Sequence, residues 1–243
     1  IGGTASSPET LSLQPDFFNQ GGFGTFTVTG INGPGSAPAL LVAPDTTIAP
    51  IVKTLSLVTG GPGNPAFSLE VIEDLPGVRP AATINLTAPG IGANTGDVVI
   101  SETSVIRTEA GGSISVTGNT VAVLGSLIAP GGNITIGGSS NTATALGNPN
   151  QPLVTTYIGS KAVISAAGAT VLLPYPLNRR AGYVLDGGNI TVTGNIAAAA
   201  GAVLDVSGTS GTLDLDTLYN ISRPVSLGQT NTNHPVLPAN PVV

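Results

Sequence analysis

The chain contains no cysteine, methionine or tryptophan in 243 residues, and only one histidine. Without cysteine it can form neither the disulfides of a small secreted scaffold nor a thiolate zinc or redox site. Absence of cysteine would also suit a chain that crosses an outer membrane unfolded, because no periplasmic cross-link could obstruct it; chance or lineage bias explains the absence equally well. We predict no metal and no cofactor.

Charged residues are also scarce: they make up 8% of the chain, against about 25% in typical domains. The net charge is −6, and Arg179 and Arg180 form the only adjacent basic pair. Nucleic-acid and anionic-membrane binders need a clustered basic patch, so we predict no nucleic-acid partner. Long apolar runs are missing as well, since residues 121–129 are interrupted by Gly125 and fall short of the roughly 18 residues that span a bilayer. We therefore predict no membrane insertion.

Glycine is abundant, with 34 residues, and it punctuates a recurring phrase. The phrase reads GGSISVTG at residues 111–118, GGNITIGG at 131–138 and GGNITVTG at 187–194. Gly112 and Gly132 lie 20 residues apart, which predicts that one copy stacks on the next as in a β-solenoid. The interval from Gly132 to the third copy is 56 residues, so an insertion or a longer coil must intervene.

Alternation within the phrase predicts which side chains are buried. In the third copy, Ile190 and Val192 fall on one face of a strand, with polar side chains on the other. A single coil cannot bury its own apolar face, so stability must come from neighbouring coils with isoleucine above isoleucine. We predict an all-β parallel stack of about ten coils, each of about 20 residues and rising about 4.8 Å.

The chain divides into three predicted parts. Residues 1–24 form a capping or linking segment with a short helical turn that begins at Pro15. Residues 25–221 form the β-helix, and residues 222–243 form an extended, proline-rich tail or linker. Three aromatic residues of the first part are expected to plug the apolar end or flank of the stack: Phe17, Phe18 and Phe23.

Carboxylates are the candidates for chemistry, because parallel β-helices also host polysaccharide lyases and glycosidases that use acidic clusters. Asp186 and Asp205 precede turns, where a short side chain bonds the backbone, and we favour that role over catalysis. Asp214 and Asp216 would share one strand face, on which a calcium ion is conceivable. The acidic candidates are Glu70, Glu73, Asp74, Asp186, Asp205, Asp214 and Asp216.

Other candidate residues point to structure. His234, the single histidine, lies in the proline-rich tail and has neither a partner histidine nor a nucleophile motif. The four tyrosines are possible sugar contacts, although packing is the favoured role: Tyr157, Tyr175, Tyr183 and Tyr219. Four Asn-x-Ser/Thr sequences match the glycosylation pattern: Asn85, Asn133, Asn189 and Asn220. Asn133 and Asn189 follow a glycine pair at a turn, and we interpret them as amides that bond the backbone.

Two segments resemble the filamentous haemagglutinin family of large exoproteins. The first is LQPDFFNQGGFG at residues 13–24, followed by a threonine-rich strand. The second is GYVLDGG at 182–188 with GAVLDVSG at 201–208. The resemblance implies a right-handed parallel β-helix, two-partner secretion through an outer-membrane pore, and a role as a surface fibre or adhesin. Asn148-Pro149-Asn150 is similar to a short motif of the family's secretion domain, but it lies mid-chain.

These observations predict a non-enzymatic structural segment of a secreted bacterial surface fibre. The chain begins at Ile1 without a signal segment, which favours a processed chain or an internal piece of a longer stalk. Expected partners are further copies or neighbouring segments of the same chain at free strand edges, the secretion pore during export, and a host or surface glycan. The alternatives are a carbohydrate-active β-helix enzyme that uses Asp or Glu, and a receptor-binding adhesin tip.

Overall fold

The protein consists mainly of short β-strands and contains one turn of 3-10 helix, Pro15–Asn19. The computed structural model describes residues 1–4, 10–31, 38–59, 67–90, 96–139, 154–175 and 179–214. No α-helix occurs in these stretches. The strands are β1 (Thr25–Thr29), β2 (Leu40–Val42), β3 (Thr47–Ile48), β4 (Thr54–Thr59), β5 (Phe67–Ile72), β6 (Thr83–Ala88), β7 (Asp97–Ile100), β8 (Val105–Arg107), β9 (Ser113–Gly118), β10 (Thr120–Val123), β11 (Ser126–Ile128), β12 (Asn133–Gly137), β13 (Thr156–Ile158), β14 (Val163–Ser165), β15 (Ala169–Leu172), β16 (Gly182–Leu185), β17 (Asn189–Thr193), β18 (Ile196–Ala198) and β19 (Val203–Asp205).

Three parallel sheets of five strands each form a stack. Their orders are β1-β6-β9-β12-β17, β2-β7-β10-β13-β18 and β3-β8-β11-β14-β19. The chain therefore visits the first, second and third sheet in turn and then starts again, and we call each such set of three strands a layer. Five layers occur in the described part of the chain, and the arrangement is compatible with a β-solenoid.

The predicted columns of apolar side chains are present. Ile84, Ile114, Ile134 and Ile190 are successive register partners in the first sheet, and Phe26 of β1 begins their column. All but Ile190 are buried, and they share one hydrophobic cluster with inward residues of the other two sheets. The 20-residue interval thus corresponds to one layer, as the sequence predicted, and the core lies between the three sheets.

The recurring glycine pair marks a corner where adjacent layers approach closely. A Cβ atom at Gly132 would overlap the carbonyl oxygen of Gly112, and one at Gly188 would overlap the carbonyl oxygen of Gly132. The second glycine of each pair is therefore required because backbone lies directly against backbone at this corner, between the third sheet and the first.

Two antiparallel hairpins interrupt the stack, and they correct two predictions. The β4–β5 hairpin follows β3 of the first layer, and β15–β16 follows β14 of the fourth layer. Both hairpins lie within residues 25–221, which were predicted to form the β-helix, but their strands pair only with each other. The predicted number of about ten coils is likewise wrong for the described residues, because the hairpins take up chain outside the layers.

One end of the stack is covered by the residues that precede β1. Phe18 is fully buried, and its ring centroid lies 5.4 Å from that of Phe26. Phe17 and Phe23 are 43% and 63% exposed and lie around Phe26 at the rim, so the predicted plug consists of Phe18. Ile1 bonds the backbone of Leu41 and Ala43 along the free edge of β2.

The opposite end presents the last layer. In the described part of the chain no strand pairs with the outer edges of β17, β18 and β19. Ile196, Val203 and Leu204 are about half exposed there, at 51%, 46% and 49%. The predicted tail, residues 222–243, lies outside the described residues.

Candidate functional site

The most developed concave surface lies where the two hairpin insertions meet. Both leave the stack at the corner between the third sheet and the first, although they belong to the first and fourth layers. Because layers stack directly on one another, insertions at the same corner project from the same side of the molecule. They enclose a groove between them, with the second and third layers as its floor.

Gly77 is the point of contact between the insertions. It follows the β4–β5 hairpin, has a φ of +88°, and a Cβ atom there would overlap the carbonyl oxygen of Leu172 in β15. Both the left-handed backbone conformation and the close approach favour glycine at this position. The first insertion therefore packs against the backbone of the second, and the groove has two walls.

The groove has a volume of about 560 Å³ and a mixed lining. This size lies within the range of about 300–1,000 Å³ that is typical of small-molecule sites. Apolar and aromatic side chains form much of the walls, and hydroxyl and charged groups stand among them. The principal lining residues are Ile51, Pro76, Arg79, Arg107, Glu109, Thr170, Leu172 and Tyr183.

Arg79 ties the first insertion to the floor of the groove. Its Nη1 donates to Glu73 Oε1 at 2.8 Å and its Nη2 to Glu109 Oε1 at 2.6 Å, and its side chain is only 10% exposed. A guanidinium held between two carboxylates at this degree of burial is a strong positional constraint. Arg79 Nε and the Thr108 hydroxyl are also buried, without a hydrogen-bond partner among the described residues.

Arg107 is the second cation of the groove, and its environment differs. It is the last residue of β8 and its side chain is exposed. No carboxylate of the described residues lies within ion-pair distance of it. The charged lining residues in the described part of the chain are Arg79, Arg107 and Glu109, and of these Arg79 and Glu109 are paired with each other.

The carboxylates singled out in the sequence do not converge. In the described part of the chain, no group of three or more His, Asp or Glu residues is placed to hold a metal ion. Glu73 pairs with Arg79, whereas Asp74 accepts a hydrogen bond of 2.7 Å from Thr54, and Glu70 is exposed on β5. Of the described acidic residues, Glu109 alone lines the groove, and the sequence analysis had not selected it.

Asp205 occupies the predicted turn position. Its Oδ1 accepts a 2.9 Å hydrogen bond from the backbone N–H of Ser207, as expected for a turn-capping side chain. This backbone hydrogen bond, with a smaller side-chain contribution from Ser207, lowers the pKa of Asp205 below its ordinary value. Asp186 behaves differently, because no described group donates a hydrogen bond to its carboxylate.

Asp214 fastens the chain beyond the last layer to the second hairpin. It accepts 2.8 Å and 3.0 Å hydrogen bonds from the backbone N–H and the guanidinium of Arg180. The backbone bond first, and then the guanidinium, lower the pKa of Asp214. A calcium ion here would compete with Arg180; the other member of the proposed pair, Asp216, lies outside the described residues.

The remaining candidates are dispersed. Tyr183 lines the groove, whereas Tyr157 is 41% exposed on the second sheet and Tyr175 is half-buried after β15. Tyr219, His234 and the Asn148-Pro149-Asn150 motif lie outside the described residues.

Three of the Asn-x-Ser/Thr side chains form hydrogen bonds across layers, and the predicted backbone bonding of Asn133 and Asn189 is wrong. Asn189 Nδ2 donates to Asn133 Oδ1 at 3.2 Å, and Asn85 Nδ2 donates to Thr27 Oγ1 at 3.3 Å. Each pair stands in register on neighbouring strands of the first sheet. Asn133 and Asn189 therefore form one amide pair on the outer face, and Asn85 pairs with a threonine. Asn220 lies outside the described residues.

Sequence signals for the groove were weak. Arg79 and Arg107 were isolated basic residues in an acidic chain, and neither belongs to a motif. Their common position follows only from the stacking of layers, which brings residues from both insertions and from the second layer to one corner.

Comparison with family models, curated proteins and solved structures finds no match to this chain. No helix in the described stretches is both long enough and apolar enough to cross a membrane. Function must therefore be argued from the stack and the groove themselves.

Proposed function

We propose that the chain is a structural segment of a secreted bacterial surface fibre of the filamentous haemagglutinin type, with its layers closed into a right-handed β-helix. The observation that carries the proposal is the register of the three sheets, in which the same side-chain types recur in columns through five layers. Such a stack can lengthen by repetition, and each layer adds about 4.8 Å. The proposed function of the segment is to add length to the fibre.

The asymmetry of the two ends supports a direction of growth. Both terminal layers have three strand edges without a described partner strand, but the first layer is covered by Phe18 and by the backbone of Ile1, and no described strand lies on the last. Free edges with half-exposed apolar side chains favour addition of another strand layer. We propose that the next segment of the same long chain continues the stack from β17–β19. Association of two copies through this end is the corresponding behaviour of the isolated segment.

The groove does not favour the enzymatic alternative. Glycosidases and related enzymes work with a pair of carboxyl groups on either side of the scissile bond. The single carboxylate among the described lining residues, Glu109, is ion-paired with Arg79. A non-enzymatic fibre, exported through its outer-membrane pore, is therefore the function that the arrangement supports best.

Electron microscopy of two purified chains tests the proposal: residues 1–243, and the same chain extended by the following segment of its parent protein. We expect rods of one width whose length increases with the number of residues added. Association of the shorter chain should produce pairs joined at one end, since the other end is covered.

Two outcomes would contradict the proposal. Particles that grow in all dimensions on extension would exclude a stack that lengthens along one axis. Release of new reducing ends from plant or bacterial polysaccharides by the purified chain would instead support the enzymatic alternative, and the Glu109→Gln variant would then show whether the groove carries the reaction.

A further inference from the structure

We propose that the groove between the two hairpin insertions binds an acidic saccharide, with a uronic acid carboxylate on Arg107. This goes beyond the role of a fibre segment, which requires no ligand. The groove is formed by the two hairpin insertions, and a stalk that lengthens by adding layers does not need these insertions.

The first argument is electrostatic. Arg79 is neutralised by Glu73 and Glu109, whereas the exposed guanidinium of Arg107 has no ion-pair partner among the described residues. A planar guanidinium presents donors that match a carboxylate in a two-bond arrangement. Within the groove, Arg107 is therefore the charged group that is open to a small anionic ligand.

The second argument concerns the rest of the ligand. Glu109 retains 30% side-chain exposure and uses one carboxylate oxygen for Arg79, so its other oxygen can accept a hydrogen bond from a ligand hydroxyl. A ligand with a carboxylate and hydroxyls on one ring satisfies Arg107 and Glu109 together.

The third argument is the apolar wall. The half-buried Tyr183 of β16 and its register partner Val171 of β15 share one face of the second hairpin, and Pro76 lines the groove from the first insertion. Sugar rings present C–H faces that pack against such surfaces while their hydroxyls point elsewhere. A free inorganic anion or a short aliphatic acid would use Arg107 but leave this wall unoccupied.

Isothermal titration calorimetry of the full chain with a galacturonic acid trimer tests the inference, with a neutral galactose trimer as the comparison ligand. We expect the acidic trimer to bind at least about tenfold more tightly than the neutral one. Arg107→Gln should weaken its binding by about ten- to hundredfold, the usual value of a hydrogen bond to a charged group. Higher salt should weaken the binding further.

Lys161→Gln is the matched control. Lys161 is 74% exposed, pairs with Glu102 and stands at the corner between the second and third sheets, away from the groove. Its loss removes the same charge, and the affinity should remain within about twofold of the parent value. Because Arg107 and Lys161 are both exposed, unchanged thermal unfolding of the two variants is expected and shows that they are folded.

Several results would overturn the inference. They are equal affinity for the two trimers, equal weakening by Arg107→Gln and Lys161→Gln, affinity for acetate equal to that for the acidic trimer, and no heat of binding at millimolar trimer. None of them affects the rod-shaped particles expected of the fibre segment, so the two proposals fail independently.

Discussion

At the residue scale, the corner glycines and the inward isoleucines have opposite tasks. The isoleucine side chains fill the space between the sheets. Gly112, Gly132 and Gly188 have no side chain, and this allows carbonyl groups of one layer to lie against the backbone of the next. Both tasks recur at the same place in successive layers. This is why the recurring phrase begins with glycine and alternates thereafter.

Gly132→Ala is expected to destabilise the protein by about 1–3 kcal/mol, the usual cost of forcing extra volume into a packed site. The added methyl group would overlap the carbonyl oxygen of Gly112. Gly208→Ala is the control, since a Cβ atom at Gly208 has nothing within 4 Å. Chemical denaturation measures both variants, and equal free energies of unfolding would contradict the close approach at the corner.

Asp214 makes stability depend on pH. Its pKa is lowered in the folded state, so its hydrogen bonds to Arg180 stabilise the protein above the ordinary carboxyl pKa of about 3.9 and are lost as the pH falls through the folded pKa. Asp214→Asn should therefore lose less stability than the parent between about pH 6 and about pH 3. The thermal midpoint against pH provides the comparison.

Asp186→Asn is the control for this measurement, because no described group donates a hydrogen bond to Asp186. Its pH profile should follow that of the parent chain. Superimposable profiles for all three proteins would show that the contact between Asp214 and Arg180 does not contribute.

At the scale of elements, the 3-10 helix Pro15–Asn19 and the two hairpins lie outside the repeating layers, and each has a separate structural role. The helix covers one end of the core with Phe18, and the hairpins build the groove at one corner. Isolated two-stranded hairpins are only marginally stable in water, so both depend on the stack. The contact of Gly77 with Leu172 joins them to each other as well.

Phe18→Ala should destabilise the protein by about 3–5 kcal/mol, as expected for a fully buried phenylalanine. Phe23→Ala removes the same side chain from the rim, where it is 63% exposed, and should cost much less. Urea unfolding of the two variants distinguishes an end cap from a surface cluster. Comparable losses would assign the covering of the stack to the whole aromatic cluster.

At the scale of the whole molecule, each layer is stabilised by its contacts with the neighbouring layers. Each inner strand is hydrogen-bonded on both sides, whereas β1–β3 and β17–β19 have one described neighbouring strand each. Of these two terminal layers, the first is covered by Phe18 and by backbone hydrogen bonds of Ile1. The last layer therefore has fewer contacts to lose on opening. Stability should decrease towards the end that carries the last layer.

Amide hydrogen exchange measures this gradient. We expect the slowest exchange in β9, β10 and β11 of the third layer, intermediate rates in the fourth layer, and faster exchange in β17, β18 and β19. Uniform protection through all five layers would indicate a single cooperative unit and contradict the layer-by-layer account.

Much of the stack could be predicted from the sequence. The spacing of Gly112 and Gly132 and the alternation after them indicated the register of the layers and the burial of Ile114 and Ile134, because strand periodicity decides which face a side chain takes. The turn role of Asp205 followed from its position before a glycine-containing turn. Local spacing was sufficient in each case, because the interactions concerned are made within one strand or by one layer with the next.

Only the tertiary structure decided where the two hairpin insertions lie and which strands they contain. Residues 182–185 fall inside the predicted β-helix, yet they pair antiparallel with β15, because the sequence of a strand does not specify its partner. The groove depends on that choice. Arg79, Arg107 and Leu172 lie far apart along the chain, and they share one site because insertions from the first and fourth layers leave the same corner and are long enough to meet.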